Sequence, residues 1–136
     1  MIRLGFALLL AGALGGCAGL APPSCAPGQQ AMLTAELLFG RKIGDRIGVS
    51  QTAFRRFVDD EVTPRFPDGL TILDASGQYR DRERGVLIRE PSKLILIATP
   101  DETENREKLA AIAEAYKRRF NQQSVGLILK PACASF

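Results

Sequence analysis

The succession of hydrophobic patterns predicts an α+β fold with the ferredoxin-like order βαββαβ, a four-stranded antiparallel sheet carrying two helices on one face. Three observations carry that expectation. Period-two alternation marks a strand early in the chain, two long aliphatic runs joined by a polar turn mark a hairpin, and helical spacing marks one segment on either side of it.

Residues 32–39 put Leu33, Ala35, Leu37 and Phe39 on one side and Thr34 and Glu36 on the other, the alternation of a strand. Gly40, Gly44 and Gly48 follow, but Arg41, Lys42, Asp45 and Arg46 lie between them, which excludes a membrane helix pair and predicts a mobile Gly-rich loop. No run ending in Gly-Lys-Ser or Gly-Lys-Thr is present, so it is not a phosphate loop. Ser50 is a good N-cap, and Phe54, Phe57, Val58 and Val62 then recur at helical spacing until Thr63-Pro64 stops the helix. Residues 70–80 and 86–99 are rich in Leu, Ile and Val, and the polar residues 81–85 join them as a hairpin. Pro91 lacks a ladder donor, which argues for an edge position or a bulge. The second helix places Leu109, Ile112, Ala113, Tyr116 and Phe120 on one face. Asp101, Glu102 and Glu104 begin it and Lys117, Arg118 and Arg119 end it, both complementing the helix dipole. Glu104 with Lys108 and Glu114 with Arg118 add i,i+4 pairs. Residues 125–130 close the order as a strand, expected beside the first and antiparallel to it at the centre of the sheet.

Composition bounds the chemistry. The 136 residues suit one domain, and the net charge of +3 is spread over intermixed acids and bases, which argues against a nucleic-acid partner. Histidine is absent, which removes the commonest general base and metal ligand, so a serine triad, a His-based zinc site and His-ligated haem are all disfavoured. Asp59-Asp60-Glu61 reads as a solvated helix face, and neither a metal nor a cofactor is expected.

The N-terminus reads as an address. Arg3 precedes an apolar run over residues 4–14, the length of a signal h-region and well short of the roughly 20 residues that span a bilayer. Leu14-Gly15-Gly16-Cys17 resembles the lipobox of bacterial lipoprotein precursors. That resemblance implies a signal peptide over residues 1–16, lipidation of Cys17, and attachment to a membrane by acyl chains at about 0.8 kcal/mol per buried CH₂. An ordinary secretory cut near Ala18 is the alternative. Ala18, where an inner-membrane lipoprotein of enteric type carries Asp, points to the outer membrane and the periplasm. Residues 17–30, with Pro22, Pro23, Pro27 and Gly28, have no hydrophobic period and read as a tether, so residues 31–136 are expected to form the single domain.

Cys25 just precedes the first strand and Cys133 just follows the last, so that order brings them to one end of the sheet. A disulfide between them is expected in an exported protein, and with Cys17 acylated no free thiol remains for catalysis. Two helices cover only one sheet face, yet Leu94, Leu96 and Ala98 alternate with Ile95 and Ile97, and Leu127 and Leu129 with Ile128. Both faces are therefore apolar, which predicts a homodimer through the open face, with an apolar ligand or partial cover as alternatives.

The runs Leu38-Phe39-Gly40-Arg41, Val49-Ser50, Thr63-Pro64-Arg65-Phe66-Pro67-Asp68-Gly69-Leu70-Thr71, Asp74-Ala75-Ser76-Gly77-Gln78-Tyr79-Arg80 and Arg89-Glu90-Pro91-Ser92-Lys93 resemble the exported bacterial proteins of domain of unknown function 3574. The resemblance supports export and the coarse fold and implies no activity. Its polar residues have two readings. Pro64, Pro67 and Gly69 make a rigid connection that Arg65 and Asp68 fasten. Alternatively, Arg41, Arg65, Gln78 and Lys93 converge with Asp68, Asp74 and Glu90 at one rim of the sheet, where a carboxylate of raised pKa beside an arginine clamp could bind a small anion or abstract a proton next to a carbonyl. Two functions follow: an envelope lipoprotein binding a ligand or partner, or a cofactor-free acid–base enzyme of the dimeric α+β barrel type. The enzyme needs Asp68, Asp74 or Glu90 partly buried in a pocket beside Arg65.

Overall fold

The computed structural model describes residues 24–136. The signal peptide, Cys17 and the first part of the tether lie outside the described residues. The elements are β1 (Gln30–Gly40), a small hairpin of β2 (Lys42–Ile43) and β3 (Arg46–Ile47), α1 (Gln51–Phe57), a π-helical turn (Val58–Val62), β4 (Thr71–Arg80), β5 (Leu87–Thr99), α2 (Thr103–Phe120) and β6 (Gly126–Ala134). The expected ferredoxin-like α+β fold is present, with β4, β5, β1 and β6 side by side in that order and every pair antiparallel.

Each strand begins and ends within a few residues of its hydrophobic pattern. The last strand departs most, because it continues past Lys130 through Pro131 to Ala134, paired with the first residues of β1. The last strand also lies at the edge of the sheet, which corrects the expected central position. The β4–β5 hairpin docks on β1 through β5, so only the other side of β1 is open to β6. Pro91 lies one residue beyond Ser92, the last β5 partner of β1, where β5 has only β4 beside it. That is the local edge its missing N–H requires. The Gly-rich loop is a tight hairpin in place of the mobile segment expected: Gly44 adopts φ 62°, and Arg41 accepts backbone bonds from Gly48 and Val49.

The first helix starts where Ser50 Oγ accepts from the Ala53 N–H at 3.1 Å. Its last turn widens, with Thr63 N–H bonding to Val58 C=O, before Pro64 ends it. α2 ends on Asn121 in the left-handed region at φ 49°, the residue type other than glycine that best tolerates it. Of its expected pairs, Glu104–Lys108 forms at 2.7 Å, whereas Glu114 takes Lys117, one turn neighbour closer, in place of Arg118.

The core lies between the helices and one sheet face. Leu33, Ala35, Leu37 and Phe39 of β1 and Ile95 and Ile97 of β5 are buried there against Phe54, Phe57, Leu109, Ile112 and Tyr116. Phe39 meets Phe54, Phe57 and Tyr116 edge-on with ring centroids 5.7, 5.9 and 4.6 Å away. Cys25 and Cys133 are bridged, with Cα atoms 5.5 Å apart. The described sheet, helices, core and bridge all lie within residues 24–136, so that segment carries every contact described among them.

The bridge spans 108 residues, and a loop of that size contributes about 4–5 kcal/mol in the chain-entropy model. Replacing Cys25 and Cys133 together by alanine should lower unfolding free energy by about that amount, measured by urea denaturation followed by circular dichroism.

Candidate functional site

The expected convergence of seven polar residues does not occur, because strand register sends them to different places. Along β4 and β5, residues alternate between the helix face and the open face. Asp74 stands opposite Lys93 and Gln78 opposite Arg89 on the helix side, while Gly77 stands opposite Glu90 on the other. Arg65 and Asp68 precede β4 altogether and lie at the far end of the sheet, where the chain enters β1.

Lys93 is the most unusual of the set. It faces Phe39 across the β1–β5 ladder and is 1% exposed, the only buried charged side chain among the described residues. Its stem packs inward, its ammonium lies 5.8 Å from the centre of the Phe54 ring, and it donates to Asp74 Oδ1 at 2.5 Å. Asp74 itself stands on the edge strand with its side chain 82% exposed. The hydrogen bond from Lys93, then its charge, hold the Asp74 carboxyl below its ordinary value of 3.8, with a smaller contribution from Arg41. This is the reverse of what a general base poised near neutral pH needs.

Glu90 is committed to the backbone. Its carboxylate lies over Gly40, where a Cβ would come within 2.9 Å of both oxygens, and it accepts the Lys42 N–H at 3.0 Å. Arg41 donates through Nε to the Val49 carbonyl at 2.9 Å, and Gln78 accepts from Arg89 at 2.8 Å. Tyr116 was legible only as a core residue. Its hydroxyl donates to the Gly40 carbonyl at 2.9 Å, and burial pushes its pKa far up, which keeps it neutral.

At the entry end a cleft of about 770 Å³ opens between the connection before β4, the end of β5 and the start of α2. Arg65 and Asp68 line it. Arg65 Nη1 donates to the Glu61 carbonyl at 2.6 Å and to Glu61 Oε2 at 2.8 Å, fastening the connection to the π turn as the structural reading expected. Asp68 is exposed. The cleft also takes in Asn105, Lys108 and Phe136, which sequence reasoning missed: nothing in the pattern of α2 says that its first turns overhang the sheet end, and Phe136 lies beyond every periodic segment. Among the described residues, no three Cys, Asp or Glu side chains gather as a metal site.

A family model described as Protein of unknown function (DUF3574) matches residues 34–136. No curated protein matches the chain. Among solved structures, a phage SAM lyase in complex with S-methyl-5'-thioadenosine is similar with a TM-score of 0.61 and 16% identity, over 84% of this chain and 95% of that one. CutA from Synechococcus elongatus is similar with a TM-score of 0.52 and 15% identity, over 79% of this chain and 83% of that one. At such identities the likeness is one of fold.

The Lys93–Asp74 pair gives a signed pH dependence. A depressed carboxyl pKa contributes stability that is complete above the unfolded value and is lost as pH falls through the lower folded value. Asp74→Asn should therefore melt below the wild type at neutral pH, and the gap should close only as pH falls below 3.8. Melting temperatures across an acid pH series check this, and a gap unchanged into strong acid would contradict the assignment.

Proposed function

The chain belongs to the family of proteins of unknown function DUF3574, and from that premise we propose that it is an envelope lipoprotein whose domain binds partners and carries out no chemistry. Cys17 is its acylated anchor and the outer membrane, facing the periplasm, its site. A second copy is the partner of its open sheet face.

The observation that carries the reading is that face. Leu38, Leu73, Leu96 and Ile128 come from four adjacent strands and remain 41, 44, 37 and 39% exposed, with Leu94 between Leu38 and Leu73. Register places them on the side opposite Phe39 and Ile95, which the helices cover. Contiguous apolar surface of this kind on a soluble domain marks an interface. A two-fold pairing of identical faces is self-complementary by symmetry, and the ion pair of Glu36 with Lys130 at 2.9 Å supplies polar character towards the β6 edge. The carboxylates support the same reading: Asp74 is neutralised by Lys93, Glu90 is engaged by backbone, and Asp68 stands in solvent.

Two measurements bear on it. Residues 24–136 should elute as a dimer by size exclusion with light scattering, and Leu38→Glu should elute as a monomer with its circular dichroism unchanged; a wild-type monomer at high concentration would count against the pairing. Radioactive palmitate should label the full precursor and not the Cys17→Ala form, and equal labelling of both would remove the anchor.

A further inference from the structure

The cleft at the entry end continues the open sheet face, sharing Leu96 with the proposed pairing and adding Met32, Thr34, Thr71 and Ala98 on the same side, and it differs from the rest of that face in the cations at its margin. Its floor is apolar, formed by Met32 of β1, Leu96 and Ala98 of β5 and Leu70 before β4. Two cations stand on separate elements at its margin, Arg65 on the connection before β4 and Lys108 on α2. Arg65 uses only Nη1 in its bonds to Glu61, and Lys108 has one carboxylate partner, Glu104, so both keep donors that make no hydrogen bond among the described residues. The lining itself carries one carboxylate, Asp68, and the two cations are paired with Glu61 and Glu104 just outside it. A volume of about 770 Å³ with an apolar floor and few polar groups is that of a small-molecule site.

We infer that this cleft binds a single acyl chain with one anionic head, the tail along Met32, Leu70, Leu96 and Ala98 and the head between Arg65 and Lys108. The inference rests on the proposed lipid anchor for the source of its ligand, which is the bilayer. Cys25, tied to Cys133, marks where the tether meets the sheet, and Met32 follows Ala31, the β1 residue paired with Cys133. Cys25 follows Cys17 by eight positions, a reach of at most about 30 Å. The anchor therefore confines this end of the sheet, and the cleft with it, to the neighbourhood of the membrane surface. The head is an anion because the donors that Arg65 leaves free, Nε and Nη2, keep the fork geometry that carboxylate and phosphate share, and Lys108 keeps ammonium protons beyond its bond to Glu104.

The test is calorimetric titration of the oxidised segment 24–136 with dodecanoate and with dodecyl phosphate, below the concentrations at which they self-associate, and with dodecanol and dodecyltrimethylammonium as the neutral and cationic arms. Saturable one-site binding of either anion is expected, roughly tenfold or more tighter than of dodecanol, with no binding of the cation. The better-held anion tells which bilayer component supplies the head. Lys108→Gln should weaken the anion roughly tenfold, and Thr71→Trp, which fills the cleft from the edge strand, should abolish binding. Arg65→Gln also loosens the connection to the π turn, so Lys108→Gln carries the head-group test, with thermal melts confirming that both remaining variants are folded. Absence of saturable binding, equal binding of the cation, or binding indifferent to both Lys108→Gln and Thr71→Trp would overturn the inference. A chain that is labelled by palmitate and dimeric but binds no amphiphile loses only this site. A chain that binds dodecanoate but takes no palmitate loses only the anchor.

Discussion

Phe39 is the residue on which the layers of this molecule meet. Standing near the end of β1, its ring touches Phe54 and Phe57 below the first helix and Tyr116 of the second, and Tyr116 in turn donates its hydroxyl to the carbonyl of Gly40, the next residue. Both helices are therefore held to the same face of the same strand. A pleated strand sends its next side chain the other way, so Leu38 must stand on the uncovered side. The strength of the one-sided core and the exposure of the opposite face are two outcomes of a single constraint, that among the described residues both helices pack on one face of a sheet that has two.

The same alternation decides which charges can work together. Lys93 shares Phe39's side of the sheet and is drawn into the aromatic layer, where it needs an anion within reach; the edge strand supplies Asp74 from the position directly opposite. A buried ammonium without that partner carries an uncompensated desolvation cost. Glu90, three residues earlier, faces the opposite way and meets the bare Cα of Gly40, so its oxygens go to the turn that leaves β1. Polar residues that look like an active-site set in the sequence are thus divided by pleat and register into separate structural duties.

Much of the fold was legible because its signals are local. Period two in residues 32–39, helical spacing after Ser50, and the apolar spacing of α2 each report the face one element turns to the core, and the structure places all of them so. The edge position of β6 was not legible, since it depends on which side of β1 the hairpin occupies, a choice made by long-range pairing. The β2–β3 hairpin escaped because glycine spacing signals freedom of the backbone and not the bonds from Gly48 and Val49 to Arg41 that use it. The site fared worst. Arg65 stands at the entry end of the sheet and Lys93 in the middle of β5 on its helix face, and the cleft is assembled from the connection before β4, the end of β5 and the start of α2, whose approach no single pattern encodes.

What remains is the polarity of the whole molecule. The entry of β1, the end of β6, the bridge and the cleft share one end of the sheet; the β4–β5 turn and the exit of β1 share the other. On the proposed anchoring, any pull from the membrane arrives at Cys25 and is passed at once to Cys133, so it loads β1 and β6 together at their paired ends. Antiparallel strands loaded at the same end would open rung by rung from Gln30 and Ala134, since each ladder bond could break before the next bears force. The covalent bridge blocks that opening where it would start. The disulfide and the edge strand therefore belong to one solution: an edge strand is the easiest to peel from a sheet, and here it is the one fastened to the strand that carries the core.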